Sequence, residues 1–99
     1  MVVGTLVADL LLGDVRSLKQ KRGVVRPIVA ELRRRYEVSA AETAHQDLYR
    51  RAEIAVAVVA NNHAHAIEVL AGCERLLAGR LEVELLSTRT RVLDDGDLE

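Results

Sequence analysis

Aromatic side chains are almost missing from this chain. Tyr36 and Tyr49 are the only two, with no Phe or Trp. A core must therefore be built from Val, Leu, Ile and Ala, and a sheet that stacks RNA bases on aromatic rings is excluded. Cysteine occurs once, at Cys73, which rules out a disulfide framework within the chain and makes a reducing cytoplasm the expected location. Gly4, Gly13 and Gly23 are isolated, so no glycine-rich phosphate loop is present. No apolar run approaches the ~20 residues that a bilayer span requires. The apolar start "MVVGTLVADLLLGD" has no positive leader and no small-residue cleavage site, and Asp9 interrupts it, so it reads as a strand and not a signal peptide.

What remains is the composition of one small globular domain, with 49% hydrophobic and 29% charged residues in 99. The net charge of −1 conceals a division. Residues 1–51 carry ten basic and six acidic side chains, whereas 52–99 carry four basic and nine acidic ones. Between 16 and 35 eight basic residues face the single acid Glu31. Such a chain can present one basic face to a polyanion without the overall basicity of a dedicated nucleic-acid binder.

Hydrophobic periodicity divides the chain into six elements. Residues 2–12 form a strand, with Leu6, Ala8 and Leu10 on one face and Thr5, Val7 and Asp9 on the other. Ser17 and Gln20 are spaced as a capping box opening a helix to about residue 36, whose apolar face carries Leu18, Val25, Ile28, Val29, Leu32 and Tyr36. Pro27 inside it demands either a kink near Gly23 or a late helix start there. A weak edge strand (37–46), a hairpin connection and a buried strand (51–61) follow. Asn62 caps a second helix, with Ala66, Leu70, Cys73 and Leu77 inward and Gly79 at its end. The last strand covers 80–93, with Leu81, Val83 and Leu85 alternating against Glu82 and Glu84. Residues 1–93 are thus one domain, and the acidic tail 94–99 is expected to fray. The order βαββαβ predicts an α+β, ferredoxin-like fold: a four-stranded antiparallel sheet, order 4-1-3-2, with two helices on one face. Strand 3 is apolar on both faces, which opens a second surface for burial, a homodimer being one occupant.

The basic residues are the candidates for function. On a helix Lys19, Arg22, Arg26 and Arg33 fall within an arc of roughly 60° and span about 21 Å at ~1.5 Å per residue, enough to bridge several phosphates. The topology returns the strand 2–3 hairpin to the start of this helix. It brings His45, Gln46, Arg50 and Arg51 beside Arg16, Lys19, Lys21 and Arg22. These ten residues are the expected phosphate-contacting set. The competing reading is a solvated helix face whose long stems cover apolar surface. A metal site is not expected: His63 and His65 lie two apart on a helix and so diverge, His45 belongs at the opposite end, and Cys73 is an inward hydrophobe. No nucleophile stands with a base, since Ser17 is used in capping. The expected protein is not an enzyme and needs no cofactor.

Three stretches taken together, "SLKQKRGVV" (17–25), "HQDLYRRA" (45–52) and "NNHAHAIEVL" (61–70), resemble the YlxP-like family of small bacterial proteins. The resemblance runs over 1–93. The family typically has Asp where this chain has Ala44, often Trp at Tyr49, and Ser at Ala60. It implies a ferredoxin-like fold, and a gene setting beside translation initiation factor two and ribosome-binding factor A. Ribosomal RNA or a ribosomal subunit is then the expected partner, with no membrane. The alternatives are a small-anion module at the Arg16, Lys19, His45 and Arg50 end, or a homodimeric interaction module.

Overall fold

Strict alternation in the first segment produces the central strand. In the computed structural model, which describes residues 1–99, β1 (Val2–Leu12) buries every even position from Val2 to Leu12 and leaves the odd ones on the outer face. Its neighbours are β3 (Arg51–Ala60) and β4 (Val83–Leu93), both antiparallel to it, and β2 (Ser39–Ala44) pairs with β3 at the edge. The sheet order β2-β3-β1-β4 is the predicted 4-1-3-2 order read from the other edge. Helices α1 (Leu18–Tyr36) and α2 (His63–Ala78) cover one face. The fold is the expected βαββαβ sandwich of two layers.

The core is aliphatic throughout. Twenty apolar side chains are buried between sheet and helices, among them Leu6, Leu10, Ile28, Leu32, Ile54, Leu70 and Leu77. Helix α2 comes close to β1 because position 4 lacks a side chain. A Cβ on Gly4 would lie 2.9 Å from Leu70 Cδ1 and 3.3 Å from Ala66 Cβ. The inner residues of α2 are the predicted ones: Ala66, Leu70, Cys73 and Leu77 are all buried, and Asn62 caps the helix by accepting from the His65 amide.

Three details differ from the pattern reading. Helix α1 is unbroken from Leu18, so the late start is excluded and Pro27 sits inside it. The carbonyl that the proline leaves without a partner belongs to Gly23, four residues back and exposed to solvent, where water can satisfy it. Strand β4 begins at Val83, not Arg80. Leu81, expected in its apolar stripe, is fully exposed in the preceding turn. The β1–β4 register then shifts between Asp9 and Leu10, absorbing the doubled Leu85–Leu86 and changing which residues of β4 face inward. Finally, the acidic tail forms one helical turn, α3 (Asp95–Leu98), capped by Asp94 and met by the Met1 amino group 3.1 Å from Asp95. The Asp97 amide foremost holds the Asp94 carboxyl below the ordinary carboxylate range. No helix is long and apolar enough to cross a membrane.

Burial pushes the Cys73 thiol up to about 11, from 9.0. The unfolded chain therefore ionises this thiol first, and alkali favours the unfolded state. Stability will fall as pH rises from about 9 towards 11, and Cys73→Ala will flatten that part of the curve. Chemical denaturation at stepped pH reads both. In the native protein at neutral pH the thiol will not react with an aromatic disulfide reagent, and it will react fully once unfolded.

Candidate anion-binding groove along helix α1

The N-terminus of α1 is fixed by reciprocal capping. Ser17 Oγ accepts from the Gln20 amide at 3.1 Å, as the spacing predicted. Gln20 Oε1 reaches one residue further back than a standard capping box and accepts from the Arg16 amide at 2.7 Å. This fixes where the helix begins, at Leu18.

Lys21 points inward. It is only 2% exposed, and its Nζ lies 2.8 Å from Glu42 Oε2 on β2 and donates to the His45 carbonyl at 2.6 Å. Glu42 Oε2 accepts no aligned hydrogen bond, so charge attraction is what Lys21 supplies to it. The same His45 carbonyl closes a turn by accepting from the Leu48 amide at 3.0 Å, and His45 adopts a left-handed backbone, φ 64°. Lys21 thus ties the first turns of α1 to the β2–β3 hairpin and is withdrawn from any external ligand.

Most of the other predicted basic residues are also engaged internally. Arg50 Nε donates to the carbonyls of Leu12 (3.1 Å) and Gly13 (2.8 Å), anchoring the hairpin to the end of β1. Arg51 forms an ion pair with Asp9, whose other oxygen lies 3.8 Å from His45 Nε2. Arg16 pairs with Asp14 on the surface at 3.1 Å. Arg34 and Arg35 share Glu31 with Arg80. Gln46 Nε2 reaches the Glu42 carbonyl at 3.5 Å. Arg33 donates through Nε and Nη2 to the Ala40 carbonyl, at 3.0 and 2.6 Å, covering the open edge of β2 with its charge uncompensated by any carboxylate.

Lys19, Arg22 and Arg26 remain. All three are exposed and none has an ion-pair or hydrogen-bond partner in the protein. Arg22, Arg26 and Arg33 line one side of a groove of about 490 Å³ between α1 and the β2 edge, floored by Val25, Val29, Ala30 and Ala41. Arg22 also borders an adjoining hollow of about 290 Å³, shared with Gln46 and Asp47. Helix start and hairpin therefore meet internally through Lys21 and His45 and, at the surface, at Arg22 and Gln46. The set Arg16, Lys19, His45 and Arg50 does not share a hollow. The groove's one carboxylate, Glu42, is already matched by Lys21.

A polar cluster on the outer sheet face was not foreseen. Glu53 accepts from Thr43 Oγ1 at 2.8 Å and lies 3.5 Å from Arg89, beside the Asp9–Arg51 pair. Its one sequence signal was Asp9, a charge within an apolar strand. No three His, Cys, Asp or Glu side chains are grouped to hold a metal ion.

The family model for "Protein of unknown function (DUF503)" matches residues 3–90. The chain belongs to the DUF503 family. It is also similar to the "Uncharacterized protein YlxP" of Bacillus subtilis (strain 168), 26% identical over 89 residues, which cover 90% of this chain and 97% of the relative. The DUF503 match takes in both walls of the groove and the hairpin, and leaves α3 outside. His45, which follows Ala44 at the end of β2, has its Nε2 3.8 Å from Asp9 of β1, although β3 lies between those two strands in the sheet.

Lys21→Met leaves Glu42 facing an apolar neighbour and the His45 carbonyl short of a donor. The expected cost is about 2–3 kcal/mol, below the ~3–5 kcal/mol of a fully buried pair because Glu42 keeps 24% exposure. Adding Glu42→Leu will recover much of the loss. Urea denaturation of the four proteins of this cycle measures the coupling.

Proposed function

We propose that this DUF503 protein is a non-catalytic factor that grips the phosphate backbone of RNA through the α1 groove. The observation that carries the reading is the set of cations left without internal anions. Lys19, Arg22 and Arg26 stand on one helix face, Arg22 and Arg26 in the groove wall and Lys19 one turn before it, with Arg33 completing the line at the β2 edge. The other basic residues of α1 are paired or hydrogen-bonded within the protein, so these are the ones open to an external anion. Arginine suits that task, because its planar fork binds phosphate oxygens in pairs and is weakly hydrated. The row extends over roughly 21 Å at ~1.5 Å per residue, which favours a polyanion over a single small anion.

The gene setting implied by the family resemblance supports ribosomal RNA, or a subunit displaying it, as that polyanion. The apolar floor of Val25, Val29 and Ala30 adds room for ribose and base edges without stacking. The contact is therefore read as electrostatic positioning and not as base readout.

Co-sedimentation with ribosomal subunits tests the reading. The wild-type protein will sediment with them at low salt, and its affinity will fall steeply as salt rises. Arg22→Glu combined with Arg26→Glu will lower the affinity at least tenfold while the unfolding midpoint stays unchanged. Equal sedimentation of both proteins would show that the groove does not carry the contact.

A further inference from the structure

The sheet has a second face, and its surface differs from that of a solvated sheet. Between the strands lies an open trough of about 580 Å³, floored by short side chains that include Thr5, Val7, Ala41, Ala55 and Ala57. Two residues beyond Ala57 on β3, Val59 is 70% exposed. Short side chains let another backbone layer approach closely, as inner sheet faces do when stacked ~10 Å apart.

Charge and register identify what fits there. On β4, Glu84 stands opposite Leu11 of β1, and Arg91 stands opposite Thr5. Leu11 and Thr5 are odd positions of β1, so both charges lie on this outer face. Both are exposed, and neither has an ion-pair partner within the chain. A two-fold axis crossing the strands at the level of Ala8 exchanges the levels of Thr5 and Leu11. It brings Arg91 of each copy over Glu84 of the other, twice by symmetry. We infer that the outer sheet face is an isologous dimer interface, occupied by the same face of a second copy.

The available area suits this. Four strands ~4.8 Å apart, with β1, β3 and β4 of 11, 10 and 11 residues and β2 of 6, present roughly 600 Å² in projection at ~3.3 Å per residue. The relief of side chains raises the accessible area towards the ~800 Å² per partner of a standard interface. Nucleic acid suits the face less well, because the carboxylates of Asp9, Glu53 and Glu84 offset the cations of Arg51, Arg89 and Arg91 there and no aromatic ring is present for stacking. Such a dimer also turns both helix layers outward, so each α1 groove stays open. The inference stands independently of what that groove binds.

Light-scattering mass across a dilution series of the full chain is the test. The expected result is about twice the 10.9 kDa chain mass at high concentration, falling on dilution. Arg91→Glu and Glu84→Arg will each raise the dissociation constant at least tenfold by setting like charges face to face. The combined Glu84→Arg, Arg91→Glu protein will regain the dimer. Ala55→Arg, in the trough floor, is a second probe and will give a monomer. Both β4 positions are exposed on an edge strand, so circular dichroism will show these variants folded. A monomer at every concentration overturns the inference, whether or not the face then binds another molecule. So does a dimer indifferent to the two single charge reversals, or a double variant no better than the singles.

Discussion

Where α1 leaves its cap and crosses the β2–β3 hairpin, one ammonium group is taken out of water. Burying such a charge costs several kcal/mol unless a counter-charge and hydrogen bonds recover it. Lys21 obtains these from Glu42 and the His45 carbonyl. With Lys21 inward, the phase of α1 is set: at ~100° per residue Arg22 lies about 100° away around the helix, Arg26 about 140° and Lys19 about 160°. These three must then turn towards solvent. The pair acts a second time on the groove beside it, because Glu42 is the wall's only carboxylate. Held by Lys21, it leaves the neighbouring arginines uncompensated. A single internal ion pair therefore both joins helix to hairpin and shapes the electrostatics of the outer surface.

How much of this could be read from the sequence depended on whether the signal was local. The strands, the caps at Ser17 and Asn62 and the inner face of α2 follow from periodicity and side-chain chemistry over a few residues. The doubled Leu85–Leu86 carried the β4 irregularity, and Gly23 four residues before Pro27 carried the reason the helix continues. Lys21 was also partly visible. It completes the spacing Leu18, Lys21, Val25, Ile28, Leu32, the inward row of α1, but its charge argued for solvent. Only its partner on another strand could overturn that argument. The internal use of Arg50, Arg51 and Arg33 was not legible for the same reason. Their partners are backbone carbonyls and an acid that only strand register brings near.

The fold separates two surfaces by placing them on opposite layers. The helix layer carries the free cations Lys19, Arg22 and Arg26 beside an edge strand whose outward carbonyls at Ala40 and Glu42 are covered by Arg33 and Gln46. That covering blunts the edge against pairing with other strands. The sheet layer carries small side chains and charges of both signs, among them the cluster of Asp9, Arg51 and Glu53. Exposed ion pairs such as Arg16–Asp14 contribute little to stability. The interactions that matter for the site are the half-buried ones that withdraw particular charges from the surface.

The division of the α1 cations into internal and external sets is the centre of this account. Two lysines two residues apart test it most directly: the salt dependence of binding to a single-stranded RNA, measured for Lys19→Met and Lys21→Met. The account predicts that Lys19→Met lowers the slope of log affinity against log salt by about 0.7, one phosphate contact, with stability unchanged. Lys21→Met will leave the slope as it is and lower stability. A loss of slope on replacing Lys21, or none on replacing Lys19, would contradict it.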